Sequence, residues 1–302
     1  MSTTKTKKPR MLFSAFVRKY GRLLIGGIIL TVILFGVLFA DVLDMGNNHD
    51  SFKGVDLTNA YQKSGEVGNS GLLHVMGTDG EGRDIWARIL HGGRPTLIVA
   101  LGAQAVLVTL GTVIGLICGY FSKVERIVMR ILEAFATIPN MLLTMLVLSL
   151  FREARQDPVK AIIIMIFSMS LHGVPGLARM IRNQVLSLRE KEYIESEKAM
   201  GAGDLRTMFV HILPACSSYL LVRFSNGLAG MILSMASLSF LGLGLPLSVP
   251  TWGSMVNETR LAIYDPNIMY VFLWPTLIIS ITVFGFAMLG DGLRDLLDPR
   301  LK

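Results

Sequence analysis

The chain is 302 residues long, 52% apolar and 17% charged, with a mean hydropathy of +0.54 and a formal net charge of +7. Its apolar residues are gathered into long blocks rather than spread at the period of a surface helix or strand, the signature of a polytopic membrane protein, which excludes an ordinary water-soluble domain. No nucleic-acid module accompanies the basic excess, so nucleic acid is excluded as a partner and the charge is read as juxtamembrane, setting topology and touching anionic lipid head groups of the bilayer.

A helix rising about 1.5 Å per residue needs roughly 20 apolar residues to cross a hydrocarbon core of about 30 Å. In chain order, charge-free runs fall at 23–40, 95–122, 134–151, 161–178, 224–257 and 267–290. The fifth is too long for one crossing and includes an external segment around 246–250. Barrel strands are excluded, because these blocks far exceed the roughly ten alternating residues of one strand. The expected fold class is all-α, a polytopic membrane protein with six transmembrane helices.

The tail 1–22 carries Lys5, Lys7, Lys8, Arg10, Arg18, Lys19 and Arg22 and no acidic residue, which places it in the cytoplasm by the positive-inside rule. The expected layout is then a first span at 23–43, an extracytoplasmic loop at 44–94, a five-helix core at 95–291 with a cytoplasmic loop at 181–214, and a cytoplasmic tail at 292–302. Arg152, Arg155 and Lys160 against Glu153 and Asp157 leave one external turn slightly basic, too short and mixed to outweigh the tail. A cleaved signal peptide is disfavoured, since the run from Leu23 exceeds a usual h-region and no Ala-x-Ala site precedes Asp41. Cys118 and Cys216 fall near cytoplasmic span ends, where no structural disulfide is expected, and are read as small core residues.

The polar interruption 190–214 is the most informative stretch. Glu190 through Lys198 favours a helix, Gly201 and Gly203 end it, Asp204 is expected to cap a short helix at 205–212, and Pro214 to mark the first turn of the fifth span. Ala199, Met200, Ala202, Leu205 and Met208 would form an apolar knob rimmed by charge, which suits helix-in-groove recognition. A solvated interfacial hairpin with no partner fits the local physics equally well.

Four features lie at depth. Arg223 lies in or near the fifth span, where an Arg at mid-membrane costs roughly 2.5–3.5 kcal/mol and must face a polar interior or snorkel. His172 is read as a packed, hydrogen-bonded residue and Glu133 as an interfacial partner of Arg126 or Arg130. Gly111, Gly115 and Gly119 put small residues on one stripe of the second span, inviting another helix.

Enzyme classes find no support. No Gly-Lys pair exists for a phosphate-cradling loop, no His-Glu-x-x-His occurs, no nucleophile–base set is readable, and no His-rich or Cys cluster favours a metal.

The segment Tyr193-Ile194-Glu195-Ser196-Glu197-Lys198-Ala199-Met200-Gly201-Ala202-Gly203-Asp204-Leu205-Arg206, closed by His211-Ile212-Leu213-Pro214, resembles the EAA loop, the cytoplasmic coupling segment of permease subunits in ATP-binding-cassette (ABC) importers. Glu195, Gly201, Leu213 and Pro214 fall on the pattern, while Ser196 and Glu197 replace two alanines and His211 replaces an Ile. Three more segments are similar to the C-type subunit of the dipeptide, oligopeptide and nickel permease family. They are His74 to Arg88 with Gly77-Thr78-Asp79 and Gly82-Arg83-Asp84, continuing to Gly92, Gly93 and Arg94; Ala236 to Gly244 followed by Thr251-Trp252-Gly253; and Leu289 to Leu301. The four occur in the family's order and cover most of the chain after Leu72.

That resemblance implies the type I importer permease fold in a bacterial inner membrane, with no catalysis and no cofactor in this chain. It implies a second homologous permease, two ATPases carrying ATP and Mg, and an extracytoplasmic solute-binding protein. Tyr193, Glu195, Ala199, Met200, Gly201, Ala202, Asp204, Leu205 and Pro214 would couple to the ATPases. Gly77, Thr78, Asp79, Gly82, Arg83 and Asp84 would form the external family motif. The chain departs from the family in the polar insert 50–72, with Asn59, Tyr61, Ser64 and Asn69, in Arg223, and in Ser234-Met235, where an acidic residue is usual. Arg223 and Ser234 are candidate pathway residues; Arg223 would favour carboxylate-bearing solutes such as peptides, or else simply reach water at the cytoplasmic face. Peptide import is the leading function, with nickel or a metal chelate as the alternative solute. From other classes, an ion-coupled transporter would need intramembrane carboxylates or repeated halves that are not seen, and a scaffold gives no reason for four matched segments.

Overall fold

In lipid a backbone must satisfy its own hydrogen bonds, and charge-free runs of this length do so as helices. The computed structural model describes residues 9–44, 57–68, 71 and 73–297, without the side chains of 9–19 and 155. Lys5, Lys7 and Lys8 of the tail, Asn69 and much of the insert, and the closing Asp298-Pro299-Arg300-Leu301 lie outside the described residues.

In chain order the helices are α1 (Pro9–Leu38), α2 (Ala40–Leu43), α3 (Ile85–Tyr120), α4 (Ser122–Ala136), α5 (Asn140–Leu150), α6 (Pro158–Arg189), α7 (Glu192–Ala199), α8 (Asp204–Arg206), α9 (Leu213–Phe240), α10 (Trp252–Glu258) and α11 (Tyr270–Leu297). Among the described residues the only paired strands are β1 (Glu66–Val67) and β2 (Leu73–His74), a short antiparallel pair. The all-α class holds. Five helical stretches are long and apolar enough to cross a membrane: Tyr20–Leu38, Ile85–Tyr120, Pro158–Arg189, Asp204–Phe240 and Tyr270–Leu297.

The run at 134–151, expected as one span, is instead broken. α4 and α5 meet at a 90° bend across Thr137-Ile138-Pro139. The cause is local, because Pro139 disfavours a helical Ile138 and cannot donate to a continuing ladder. α4 gathers Val124, Ile127, Ile131 and Phe135 apart from Lys123, Arg126, Arg130 and Glu133, and buries no residue. α5 has 11 residues, a rise of about 16 Å that cannot cross the bilayer alone. α6 runs parallel to α3, since Arg189 at its C-terminal end hydrogen-bonds the carbonyl of Tyr120 at the C-terminal end of α3 at 3.2 Å. The bent pair together therefore returns the chain to the start of α6, making the sixth crossing.

The run at 224–257 divides where expected. α9 stops at Phe240, Gly242 turns the chain at φ 78°, and α10 folds back over the bundle after the 246–250 segment. Thr251 and Ser254 form a reciprocal capping box that starts α10. Trp252 is fully buried and donates from its indole to the Ile89 carbonyl at 2.8 Å, pinning α10 to α3.

Glycine sets the closest helix contacts. A Cβ on Gly111 would lie 2.9 Å from Leu177, on Gly115 2.7 Å from the Ala178 carbonyl oxygen, and on Gly119 2.6 Å from Val185. The stripe on α3 thus seats α6, as the spacing predicts. α1 lies against α11 in the same way, where a Cβ on Gly26 would meet the Leu289 nitrogen at 2.6 Å.

At the end of the bundle away from Tyr120, the Gly77 to Asp84 motif folds onto α3. Asp84 caps α3 by accepting from the Ala87 N–H at 2.8 Å, and His74 Nδ1 lies 2.7 Å from its other oxygen. Burial pushes the Asp84 carboxyl up, against the Ala87 N–H and His74, which pull it down. Gly77 and Gly82 hold φ of 79° and 76°, and a Cβ on Gly77 would strike the Gln62 carbonyl oxygen. Thr78 accepts from the Gln62 N–H at 2.8 Å and donates to the Asn59 carbonyl, and Tyr270 donates to the Gln62 carbonyl at 2.8 Å.

Asp79 receives Arg83 Nε at 2.8 Å and Arg88 Nη1 at 2.6 Å, and both arginines reach Glu258 of α10, at 2.8 and 2.9 Å. Asp79 and Arg88 are only 2% and 1% exposed, so each charge depends on the others. Burial would strip the Arg83 proton, but Asp79 and Glu258 more than reverse this and its pKa is raised.

Replacing Gly115 with Leu is expected to cost about 1–3 kcal/mol by overpacking. Gly176→Leu, where a Cβ meets nothing within 4 Å, is the control. Thermal unfolding of the purified protein checks this, and equal midpoints for the two variants would contradict the contact. Arg88→Met takes one of its two cations from buried Asp79 and is expected to cost about 3–5 kcal/mol in the same assay.

Candidate functional site: the polar loop and the central cavity

α7 is held by Ile194, which is fully buried, while Tyr193 and Glu195 beside it are exposed. Gly201 ends the helix in the left-handed region at φ 89°, its N–H bonded to the Lys198 carbonyl at 2.9 Å. Ala202 donates to the Glu197 carbonyl at 3.2 Å and the chain re-enters helix at Asp204.

Two expectations for this loop are corrected. Asp204 does not cap the next helix: Gly203 occupies the cap position, and the Asp204 carboxylate accepts the Tyr120 hydroxyl at 2.6 Å. Pro214 stands in the first turn of α9, as expected, but the short helix before it is not separate. Helix runs unbroken from Asp204 to Phe240 through a π turn at Thr207–Ile212, where the Leu213 N–H reaches back to the Met208 carbonyl. The wider turn accommodates Pro214, which cannot donate and whose ring would crowd an ordinary ladder.

The exposed apolar knob consists of Met200, 82% exposed, Leu205, 69%, and Tyr193, 50%, with Ala199 beside them. Ala202 is half-buried, and Met208 is buried at 2%, so it belongs to the core and not to the knob. Glu197 closes the two arms by pairing with His211 and, at 3.9 Å, with Arg206. Glu195 forms no ion pair among the described residues. At the same end of the bundle, Arg22 of α1 meets Asp295 of α11 at 3.4 Å.

Between α3, α5, α6 and α9 lies a cavity of about 430 Å³. Arg223 and Ser234 both line it, with Gln104, Asn140, His172 and Asn226 as further polar groups. Gln104 donates to the Arg223 carbonyl at 3.2 Å. Arg223 and Asn226 also line a neighbouring space of about 410 Å³ that includes Tyr219, Arg294 and Leu297, so the Arg223 side chain stands where the two spaces meet. The guanidinium has no carboxylate partner among the described residues. The residue stands about 14 Å along the helix from Pro214.

His172 was expected to be hydrogen-bonded, yet its Nδ1 is buried with no partner among the described residues. Glu133 pairs not with Arg126 or Arg130 on its own helix but with Arg179 of α6 at 3.4 Å, and Glu125 likewise pairs with Arg182. These pairs strap the exposed α4 to α6. Missed from sequence were Glu258, Tyr270 and Tyr120, which are distant in the chain from every motif they serve. Cys118 and Cys216 are free and buried.

Residues 111–302 match the family described as binding-protein-dependent transport system inner membrane component. The glutathione transport system permease protein GsiD of Pectobacterium atrosepticum is 40% identical over 231 residues, covering 76% of this chain and 73% of that protein. The dipeptide transport system permease protein DppC of Haemophilus influenzae is 32% identical over 298 residues, 98% of this chain and 96% of that protein. DppC of Alkalihalophilus pseudofirmus is 34% identical over 280 residues, 92% and 86% of the two chains. With the helical bundle, the turn-linked polar loop and the match over nearly two thirds of its length, the chain belongs to the binding-protein-dependent transport system inner membrane components, the multi-pass permeases of ABC importers.

Proposed function

We propose that this chain forms half of the translocation pathway of an ATP-driven peptide importer and docks an ATPase subunit through the 190–214 loop. The observation that carries this is the exposed knob of Tyr193, Met200 and Leu205, held rigid by Gly201 and the Glu197–His211 pair at the same end of the bundle as Arg22 and Asp295. That end faces the cytoplasm, with both termini, by the charge of the tail. The other half of the pathway comes from a second permease, ATP and Mg are held by two ATPases, and solute arrives from an extracytoplasmic binding protein.

Closure of the ATPase pair on ATP would pull the loops of the two permeases together and turn the cavity outward, a two-state equilibrium biased by solute on one side and nucleotide on the other. Peptide is supported by relatives named for dipeptide, peptide and glutathione transport. A metal or metal chelate is not favoured: among the described residues no group of three or more His, Cys, Asp or Glu could hold an ion. Arg223, without a carboxylate partner of its own, favours solutes that bring one.

Gly201→Glu is expected to abolish uptake while leaving membrane insertion intact, because φ 89° is strained for any side chain and the knob would lose its shape. Full uptake by that variant would refute the coupling role. Arg223→Gln should lower uptake of anionic relative to cationic peptides by about tenfold, the scale of one charge-assisted hydrogen bond. Unchanged selectivity in competition assays would remove Arg223 from the pathway.

A further inference from the structure

The inner end of α3 meets the loop through one side chain. Tyr120, the last residue of α3, is 7% exposed and contacts three elements at once. Its hydroxyl donates to Asp204 at the start of α8 at 2.6 Å, the Lys198 ammonium of α7 sits 4.7 Å from its ring centroid, and its carbonyl accepts from Arg189 of α6 at 3.2 Å. A hydrogen bond to a carboxylate and a cation over a ring are both directional, so together they fix the ring against the two arms of the loop.

We propose that Tyr120 is a positioning residue that transmits movement of the α7–α8 loop into α3, an inference that rests on the loop being the ATPase-docking element. Three routes lead from the loop into the bundle. Two are covalent: back through Glu190 and Lys191 into α6, and on through the π turn at Thr207–Ile212, a locally altered stretch of helix. The third runs through Tyr120 into a continuous 36-residue helix that neither covalent route enters. α3 then touches each working part in turn. It packs on α6 through Gly119, Gly115 and Gly111, carries Gln104 to the cavity wall and to Arg223, and ends at Arg88 and the Asp84 cap in the external ion network. A displacement at Tyr120 is therefore delivered to the cavity and to the far face by one rod.

The test uses the assembled transporter in nanodiscs, with both permeases and the ATPases, and an environment-sensitive dye on Ser234→Cys in the cavity. Cys118 and Cys216 are buried, which confines the label. ATPase co-purification reports docking, and the ATP-induced dye change reports transmission. With native co-purification, the dye change should be halved or more in Y120F, which removes only the hydroxyl, and lost in Y120A. D204N should match Y120F, and the double variant should be no worse than either. A native-sized dye change in Y120F overturns the proposal, and Y120F alone decides the matter if Y120A fails to assemble. Loss of co-purification in Gly201→Glu with native co-purification in Y120F separates docking from transmission. Native co-purification and dye response in Gly201→Glu instead overturns the docking reading, and absence of any ATP response in the native transporter overturns both.

Discussion

Three glycines one turn apart let the α3 backbone lie directly against α6, and the placement of the remaining parts follows from that contact. With Gly111, Gly115 and Gly119 seated on Leu177, Ala178, Ile181 and Val185, α3 and α6 become one parallel unit. Lipid supplies no hydrophobic drive between helices, so such close packing is the available source of association energy. Fixing α3 against α6 puts Tyr120 beside Arg189 and the loop at one end, and Asp84 and Arg88 at the other. α9 closes the cavity against this pair, with Gln104 reaching across to Arg223.

Charge is distributed according to what can pair with it. At the Asp84 end of the bundle, Arg83, Arg88, Asp79 and Glu258 satisfy one another, and the burial of the first three makes the motif a lock rather than a binding surface. Toward the Tyr120 end, Arg179 and Arg182 hold the unburied α4 through Glu133 and Glu125. Arg223 is the contrast: it lines open space and meets no carboxylate of the described protein. A cation left unneutralised at the wall of a cavity is chemically suited to a solute that carries the opposite charge.

What was legible in the sequence was whatever depends on neighbours in the chain. Apolar run length identified the spans, and the glycine spacing identified the α3 face that α6 occupies. Gly201 and the Gly77 to Asp84 turns were readable because positive φ has a residue signature. The Ile138-Pro139 break was equally present, and run length alone concealed it. The π turn that joins 207–212 to α9 has no composition signature, so 205–212 read as a short separate helix. Met208 read as exposed because a short helix was assumed where a continuous one buries that face. Contacts across 84 and 170 residues, Tyr120 with Asp204 and Arg88 with Glu258, are set by packing and carry no local signal.

Docking through the loop is tested most directly by a photo-crosslinker at Met200, the most exposed point of the knob, in cells expressing the whole transporter. The expected result is an adduct with a nucleotide-binding chain, identified by mass spectrometry, that is missing when the crosslinker sits at Leu247 on the opposite end. An ATPase adduct from Leu247 and none from Met200 would contradict it.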